Sequence, residues 1–333
     1  MKMLSEPILG PSSNCLLAFE DPGGAKAALS IFYRQMKSCR KIDVFSEVGE
    51  SNISYFPGLN TKRLKKIPNS FHCYDYIVLG TSYPVTSAIA VLFGLEAKQR
   101  SEGLKTIAIV DRNNLVRERF LFNGRYYFPD ILYTCECLTS DDREWFEENG
   151  VIVKQIFNPY HLYLRDVSEI LRKDSGDTRS TELEGLNYVV YAPEPISRFS
   201  LYDTYGFDEM SILDELVEIV DEVVPQLEIV FLPHPNQVLE IPEAYGGRVS
   251  IVSKSQRYGF NQLKLLVKSK AVISFNSSII AEALELGCLV YRPLWNATDE
   301  LKSKITYQNR TSSSDMAFLD KGDFVSLMAT KFK

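Results

Sequence analysis

Residues 271–287 read AVISFNSSIIAEALELG, and this run decides the fold. AVISF is apolar with almost no alternation, the pattern of a strand covered on both faces. Asn276, Ser277 and Ser278 follow, and a helix begins at once, ending near Gly287. A buried strand passing straight into a helix is half of a βαβ unit, which implies a parallel sheet with helices packed over it.

Working outward, the same alternation continues. Upstream lie the strand LNYVVYA, the amphipathic helix FDEMSILDELVEIVDEVV, the strands QLEIVFL and RVSIVS, and the helix GFNQLKLLVKSK. Downstream, CLVYRP reads as the last core strand. The N-terminal half repeats the theme with strands near 14–19, 41–46, 74–80, 104–110, 129–135 and VIVKQIF. Helices are expected near 25–37, 84–98, 140–149 and 159–172. Residues 171–186 (LRKDSGDTRSTELEGL) turn polar and rich in Gly, Ser and Thr, which marks a linker. The pattern predicts an α/β chain of two Rossmann-like domains, 1–170 and 187–333, each an open parallel sheet.

Composition narrows the function. At 333 residues, 45% hydrophobic and 24% charged, the chain is an ordinary globular sequence long enough for two cores. A formal charge of −6 argues against nucleic acid as a partner, because a phosphate-tracking surface needs a basic excess. Six cysteines stand without the spacing of a disulfide framework, and most lie in apolar runs as small core residues. The Cys135–Cys137 pair has no second pair at zinc-site spacing. The N-terminal stretch lacks a charged–apolar–cleavage pattern, and no apolar run nears the roughly 18–20 residues of a membrane span. A cytoplasmic protein is expected, with peripheral attachment at the inner membrane face left open.

Ligands of open α/β sheets bind outside the carboxyl ends of the strands, so the loops that follow strands hold the candidates. In FLPHPNQ, His234 sits between Pro233 and Pro235, which fix the backbone around it. An imidazole there can donate to a phosphate or protonate a leaving group, against the plain alternative of a turn histidine. Ser277 and Ser278 open a helix, whose N-terminal N–H groups and dipole suit a phosphate or simply need a cap. Glu282, one turn in, can accept from a ribose hydroxyl. Glu194 lies between prolines in YAPEPISRF, and Arg198 nearby is a phosphate partner by type. In AFEDPGG, Gly23 and Gly24 permit close backbone approach, and Glu20 and Asp21 are acidic groups at a strand's end. Asp111 directly follows a strand and can take a proton from an acceptor hydroxyl, with Arg117 and Arg119 beside it as anion ligands or as salt-bridge partners. His161 reads as a packing residue and His72 as a surface one.

The His234-Pro235 pair and the helix-opening Ser277-Ser278 resemble the HP and Ser/Thr motifs of bacterial sialyltransferases, polysialyltransferases and related capsule-polysaccharide glycosyltransferases. EDPGG, VDRNNLVRERF and YAPEPI resemble segments of surface-polysaccharide proteins of this type. The resemblance implies the GT-B fold, two Rossmann-like domains facing across a cleft. It implies an inverting, metal-independent glycosyltransferase with no cofactor beyond its nucleotide-sugar donor, here CMP-linked, and a glycan or lipid-linked acceptor. Carried over, His234, Ser277 and Ser278 contact the CMP phosphate. The family's acidic motif is two acidic residues then Gly. Here proline intervenes in Glu20-Asp21-Pro22-Gly23, and Asp111 competes with Glu20 and Asp21 as base. UDP-N-acetylglucosamine 2-epimerases are similar in layout and form the alternative enzyme; a non-catalytic sugar-nucleotide-binding protein is the alternative outside enzymology.

Overall fold

Strand β1 (Ser13–Phe19) is buried along nearly its whole length, as the apolar run SNCLLAF requires. The computed structural model describes residues 9–10, 12–19, 22–35, 39–46, 50–81, 90–92, 94, 103–173, 187–234, 245, 247–253, 257, 259–275, 277–308 and 315–332, excepting the side chains of 22, 35, 50–52, 173 and 304–308. Packing divides the chain into two units, Met1–Tyr163 and Leu164–Lys333. The division falls within a helix, and the expected linker lies outside the described residues from 174 onward.

In the first unit, helix α1 (Pro22–Gln35) follows β1 directly, with proline at its first position, where no N–H is needed. Then come β2 (Cys39–Ser46), β3 (Lys62–Leu64), β4 (Tyr76–Gly80) and β5 (Lys105–Val110). A small hairpin, β6 (Leu121–Phe122) and β7 (Arg125–Tyr126), precedes β8 (Ile131–Thr134), α2 (Ser140–Glu148), β9 (Ile152–Gln155) and α3 (Pro159–Lys173). The seven-stranded sheet runs β3-β2-β1-β4-β5-β8-β9, every pair parallel. The helix expected at 84–98 lies mostly outside the described residues.

The second unit holds β10 (Tyr188–Tyr191), the short α4 (Tyr202–Tyr205), α5 (Glu209–Val223), β11 (Glu228–Phe231) and β12 (Val249–Ile251). It continues with α6 (Gly259–Lys268), β13 (Val272–Ile273), α7 (Ser278–Glu285), β14 (Val290–Pro293), α8 (Asp299–Gln308), β15 (Asp315–Phe318) and α9 (Lys321–Lys331). Its six strands run β12-β11-β10-β13-β14-β15, again all parallel. Counted along each sheet's own strands, the orders are 3-2-1-4-5-6-7 in the first unit and 3-2-1-4-5-6 in the second, the doubly wound arrangement. CLVYRP is the last strand buried throughout, and one further strand follows it at the sheet's edge. β15 pairs with β14, and it escapes the sequence pattern because an edge strand of four residues is only half covered.

Helix α5 shows why these elements form. Asp208 caps it, accepting from the Met210 and Ser211 amides at 2.9 and 2.7 Å, and Ser211 returns a contact to the Asp208 amide in a capping box. Ile212, Leu213, Leu216, Ile219 and Val220 recur at helical spacing and are buried, each contributing about 1.5–3 kcal/mol. They join Tyr191, Phe231 and Phe275 in the core of the second unit. The corresponding core of the first unit gathers Leu16, Ile77, Ala108, Leu132, Phe120 and Phe146. Of the cysteines, Cys15 and Cys288 are buried, Cys39 and Cys135 partly so, and Cys73 and Cys137 exposed, so the core expectation holds for only some of them. Among the described residues no helix is long and apolar enough to cross a membrane, and no group of His, Cys, Asp and Glu is arranged to hold a metal.

Candidate functional site

In a sheet of this order the crevice opens where strands 1 and 4 part to opposite sides. In the second unit these are β10 and β13, with β11 on the other flank of β10. Because all three strands are parallel, the loops carrying Glu194 and Arg198, His234, and Ser277 leave from one edge of the sheet. The sheet order thus places residues far apart in the chain at one edge of the sheet.

The loops after β10 and β13 are held by side chains that are themselves buried. After β10, the turn at Ser197–Arg198 is clamped by the Glu209 carboxylate, which accepts from the Ser197 amide at 2.9 Å and from the Ser197 hydroxyl. Glu209 is fully buried in the first turn of α5, and the Tyr191 hydroxyl donates to its carbonyl at 2.7 Å. After β13, the Ser274 hydroxyl donates to the Ala192 carbonyl at 2.6 Å, tying the two central strands at their carboxyl ends. The Phe275 carbonyl accepts from Arg292 Nη1 at 3.0 Å. Arg292, on β14, forms a bidentate pair with Asp315 of β15 at 2.8 and 2.6 Å, both side chains being nearly inaccessible. Glu209, Ser274 and Arg292 are absent from the residues singled out by sequence. The one available signal was the charge of Arg292 inside the otherwise apolar strand CLVYRP, since a buried arginine needs a partner.

Helix α7 is fixed at both ends. Ser277 is its N-cap and accepts from the Ile279 amide at 3.4 Å, a long and weak bond, and Ser278 is exposed beside it. At the far end Arg172 of α3 donates to the Leu286 and Gly287 carbonyls at 2.8 and 3.0 Å. Arg165 pairs with Glu285, one of its bonds measuring 3.1 Å. Cations at the C-terminus and a polar cap at the N-terminus complement the helix dipole, whose positive end points out at Ser277 and Ser278. Glu282 is buried.

His234 is half-buried. Burial first, and then the positive charge of Arg198, hold its imidazole below the ordinary value. Arg198 is exposed and stacks over Phe199 with its Cζ 5.8 Å from the ring centroid. A neutral imidazole, an exposed guanidinium and a helix N-terminus at neighbouring strand ends make a surface suited to a phosphate-bearing ligand. Pro235 and Asn276 lie outside the described residues, as do Glu20 and Asp21.

The candidates in the first unit sit differently. Arg119 is buried, and every contact it makes is internal. Its Nη1 donates to the Thr81 carbonyl at 3.1 Å and to Asp111 Oδ1 at 3.0 Å, and its Nε and Nη2 donate to Asn114. It ties the carboxyl ends of β4 and β5 together, which corrects its reading as an anion ligand. Arg117 likewise pairs with Asp142 at 2.6 Å and lies over Trp145, the salt-bridge alternative. Asp111 remains partly accessible with Oδ1 engaged by Arg119. Cys135 next to it is pushed up to about 12 by burial, with Asp111 adding to the effect, so it stays a thiol. Gly24 makes the close approach that glycine allows, to the protein's own backbone: a Cβ there would lie 2.8 Å from the Gly80 carbonyl carbon, and one on Gly80 only 2.4 Å from the Gly24 oxygen. Gly23 is partly exposed. His161 packs edge-on against Phe157 and His72 is exposed, both as expected.

No family model and no curated protein sequence matches the chain. Solved structures do resemble it. The UDP-GlcNAc 2-epimerase from Methanocaldococcus jannaschii aligns over 96% of this chain and 92% of its own at a TM-score of 0.53 and 11% identity. The wall teichoic acid polymerase TagF, in a variant form, aligns over 97% and 80% at a TM-score of 0.51 and 12% identity. At such identities the likeness concerns the fold, which is that of the GT-B class, two Rossmann-like units in series.

Proposed function

We propose that this protein is an inverting, metal-independent glycosyltransferase that moves a sialic-acid-like nonulosonate from a CMP-activated donor to a surface-glycan acceptor. The observation that supports the reading is that His234, Arg198 and the Ser277-capped N-terminus of α7 follow the carboxyl ends of the adjacent strands β11, β10 and β13. The donor's phosphate would sit on the α7 N-terminus, with Ser277 and Ser278 donating hydroxyls and Arg198 countering its charge. In the transfer an acceptor hydroxyl attacks the anomeric carbon, the bond from that carbon to the phosphate oxygen breaks, and CMP leaves. His234 donates to that oxygen as charge builds on it, and a carboxylate takes the acceptor's proton. Asp111, Glu20 and Asp21 are the candidates for that base. Glu282 and Glu194 are assigned to the nucleotide side, and Gly23 and Gly24 to the backbone approach at the first unit's helix.

Thermal-shift measurement with CMP, UDP and GDP tests this. A nucleotide at a hundredfold excess over its Kd stabilises by about 2.7 kcal/mol. CMP is expected to stabilise most, and His234→Ala to abolish the shift without unfolding the protein. Stabilisation by UDP alone overturns the CMP assignment in favour of a UDP-sugar transferase or a 2-epimerase. Binding without turnover of any donor leaves a sugar-nucleotide-binding protein. With a donor in hand, Asp111→Asn should lower transfer by about a hundredfold or more if Asp111 is the base. Unchanged transfer moves that role to Glu20 or Asp21.

A further inference from the structure

Residues 62–66 read KRLKK, four cations in five positions of a chain whose formal net charge is −6. β3 supplies the first three and pairs with β2 in parallel, with Phe45 opposite Leu64. Lys65 and Lys66 therefore leave the sheet at its carboxyl edge, beside Ser46. An open cavity of about 950 Å³ lies there, lined by Phe45, Ser46, Arg63, Leu64, Lys65, Lys66 and Ile67. Phe45 and Ser46 are its buried floor, and the three cationic residues are exposed at its rim. Arg63 Nη2 lies 3.5 Å from the Ser46 carbonyl, a long and weak contact at the mouth. Lys65 and Lys66 make no ion pair or hydrogen bond among the described residues. Lys41 and Lys321, by contrast, are paired with carboxylates.

We propose that this cavity is a binding site for an anionic sugar, one carrying a phosphate or a carboxylate. The charge selects an anion, and the position is the edge of the sheet at which ligands of this fold bind. The volume lies at the upper end of the roughly 300–1,000 Å³ that small-molecule sites occupy, more than a bare phosphate fills. Phe45, Leu64 and Ile67 give the C–H face of a sugar ring an apolar surface, and the lysines meet its charged substituent. On the transferase reading of the second unit, which this assignment of a role rests on, the occupant is the acceptor, so the acceptor is an anionic glycan.

Titration calorimetry at low ionic strength with glucose 6-phosphate, inorganic phosphate and glucose tests the site. Glucose 6-phosphate is expected to bind more tightly than inorganic phosphate, glucose not at all, and the affinity to fall as salt is raised. The double variant K65A/K66A should melt like the wild type and bind glucose 6-phosphate about tenfold more weakly, the loss of two charge contacts. Its nucleotide-induced thermal shift should be unchanged, and His234→Ala should retain glucose 6-phosphate binding. The proposal is overturned if K65A/K66A binds glucose 6-phosphate as the wild type does, or if inorganic phosphate binds equally well. It is also overturned if phosphatidylglycerol vesicles capture the protein and glucose 6-phosphate does not displace them. Glucose 6-phosphate binding at these lysines with no nucleotide binding anywhere sinks the transferase reading and leaves the anionic-sugar site standing.

Discussion

The two sheets share one strand order over their first six strands but use the point where it reverses in opposite ways. In the first unit the described groups at that edge are mostly tied to one another, with Asp111 left partly accessible. Gly24 of α1 lies against the Gly80 backbone, and Arg119 spends its donors on Thr81, Asp111 and Asn114. In the second unit the equivalent edge is built from buried braces, Glu209, Ser274 and Arg292, that hold accessible groups in place. Identical topology thus says where a site can be, and only the satisfaction of the polar groups says whether one is there.

Two arginines at strand ends put this contrast to the test. Arg119→Met strands Asp111 and the Thr81 carbonyl, so urea unfolding should show a loss of about 3 kcal/mol, with nucleotide binding intact in the folded fraction. A smaller loss, with nucleotide binding gone, would move Arg119 from scaffold to ligand. Gly80→Ala forces a methyl group into the Gly24 backbone and should cost about 2 kcal/mol. An unaltered midpoint would mean that α1 and β4 part easily. Arg198→Ala is the mirror image of the first. With its side chain exposed, it should change stability by less than about 0.5 kcal/mol, yet weaken CMP about tenfold, because it removes a charge from the phosphate's surroundings.

The smallest effect is one of pH. Burial and Arg198 lower the His234 pKa in the folded protein, so the unfolded chain binds this proton more readily. The stability contributed by the neutral ring is therefore present above about pH 6.5 and is lost as pH falls through the lowered folded value. Melting temperature should decline over that range slightly more in the wild type than in His234→Gln. CMP affinity should move the other way, rising as the ring gains a proton and a phosphate partner. Parallel curves for the two proteins would place the imidazole away from the phosphate.

Strands buried on both faces were readable because their apolar runs are too short for a helix and are bounded by turn residues, and the capped helix after AVISF was readable from Ser277. What escaped is physically of two kinds. β3 and β15 are edge strands of three and four residues with polar positions, so burial leaves little trace in them. The braces escaped because their function depends on partners far along the chain. Nothing in VDRNNLVRERF distinguishes Arg119, which turns inward to Thr81, from Arg117, which lies on the surface against Trp145. The KRLKK run acquires meaning only once β3 is placed beside β2.

The strand order also dictates how the chain must be assembled in time. The first strand of each unit ends at the centre of its sheet, and one of its two neighbours is made much later: Cys15 waits for Tyr76, and Val190 for Val272. Such distant parallel pairings make refolding slow, on a scale of milliseconds to seconds rather than microseconds. Throughout that interval a fully apolar strand with an open edge is exposed, so the nascent halves, more than the finished molecule, are where this sequence is vulnerable to aggregation.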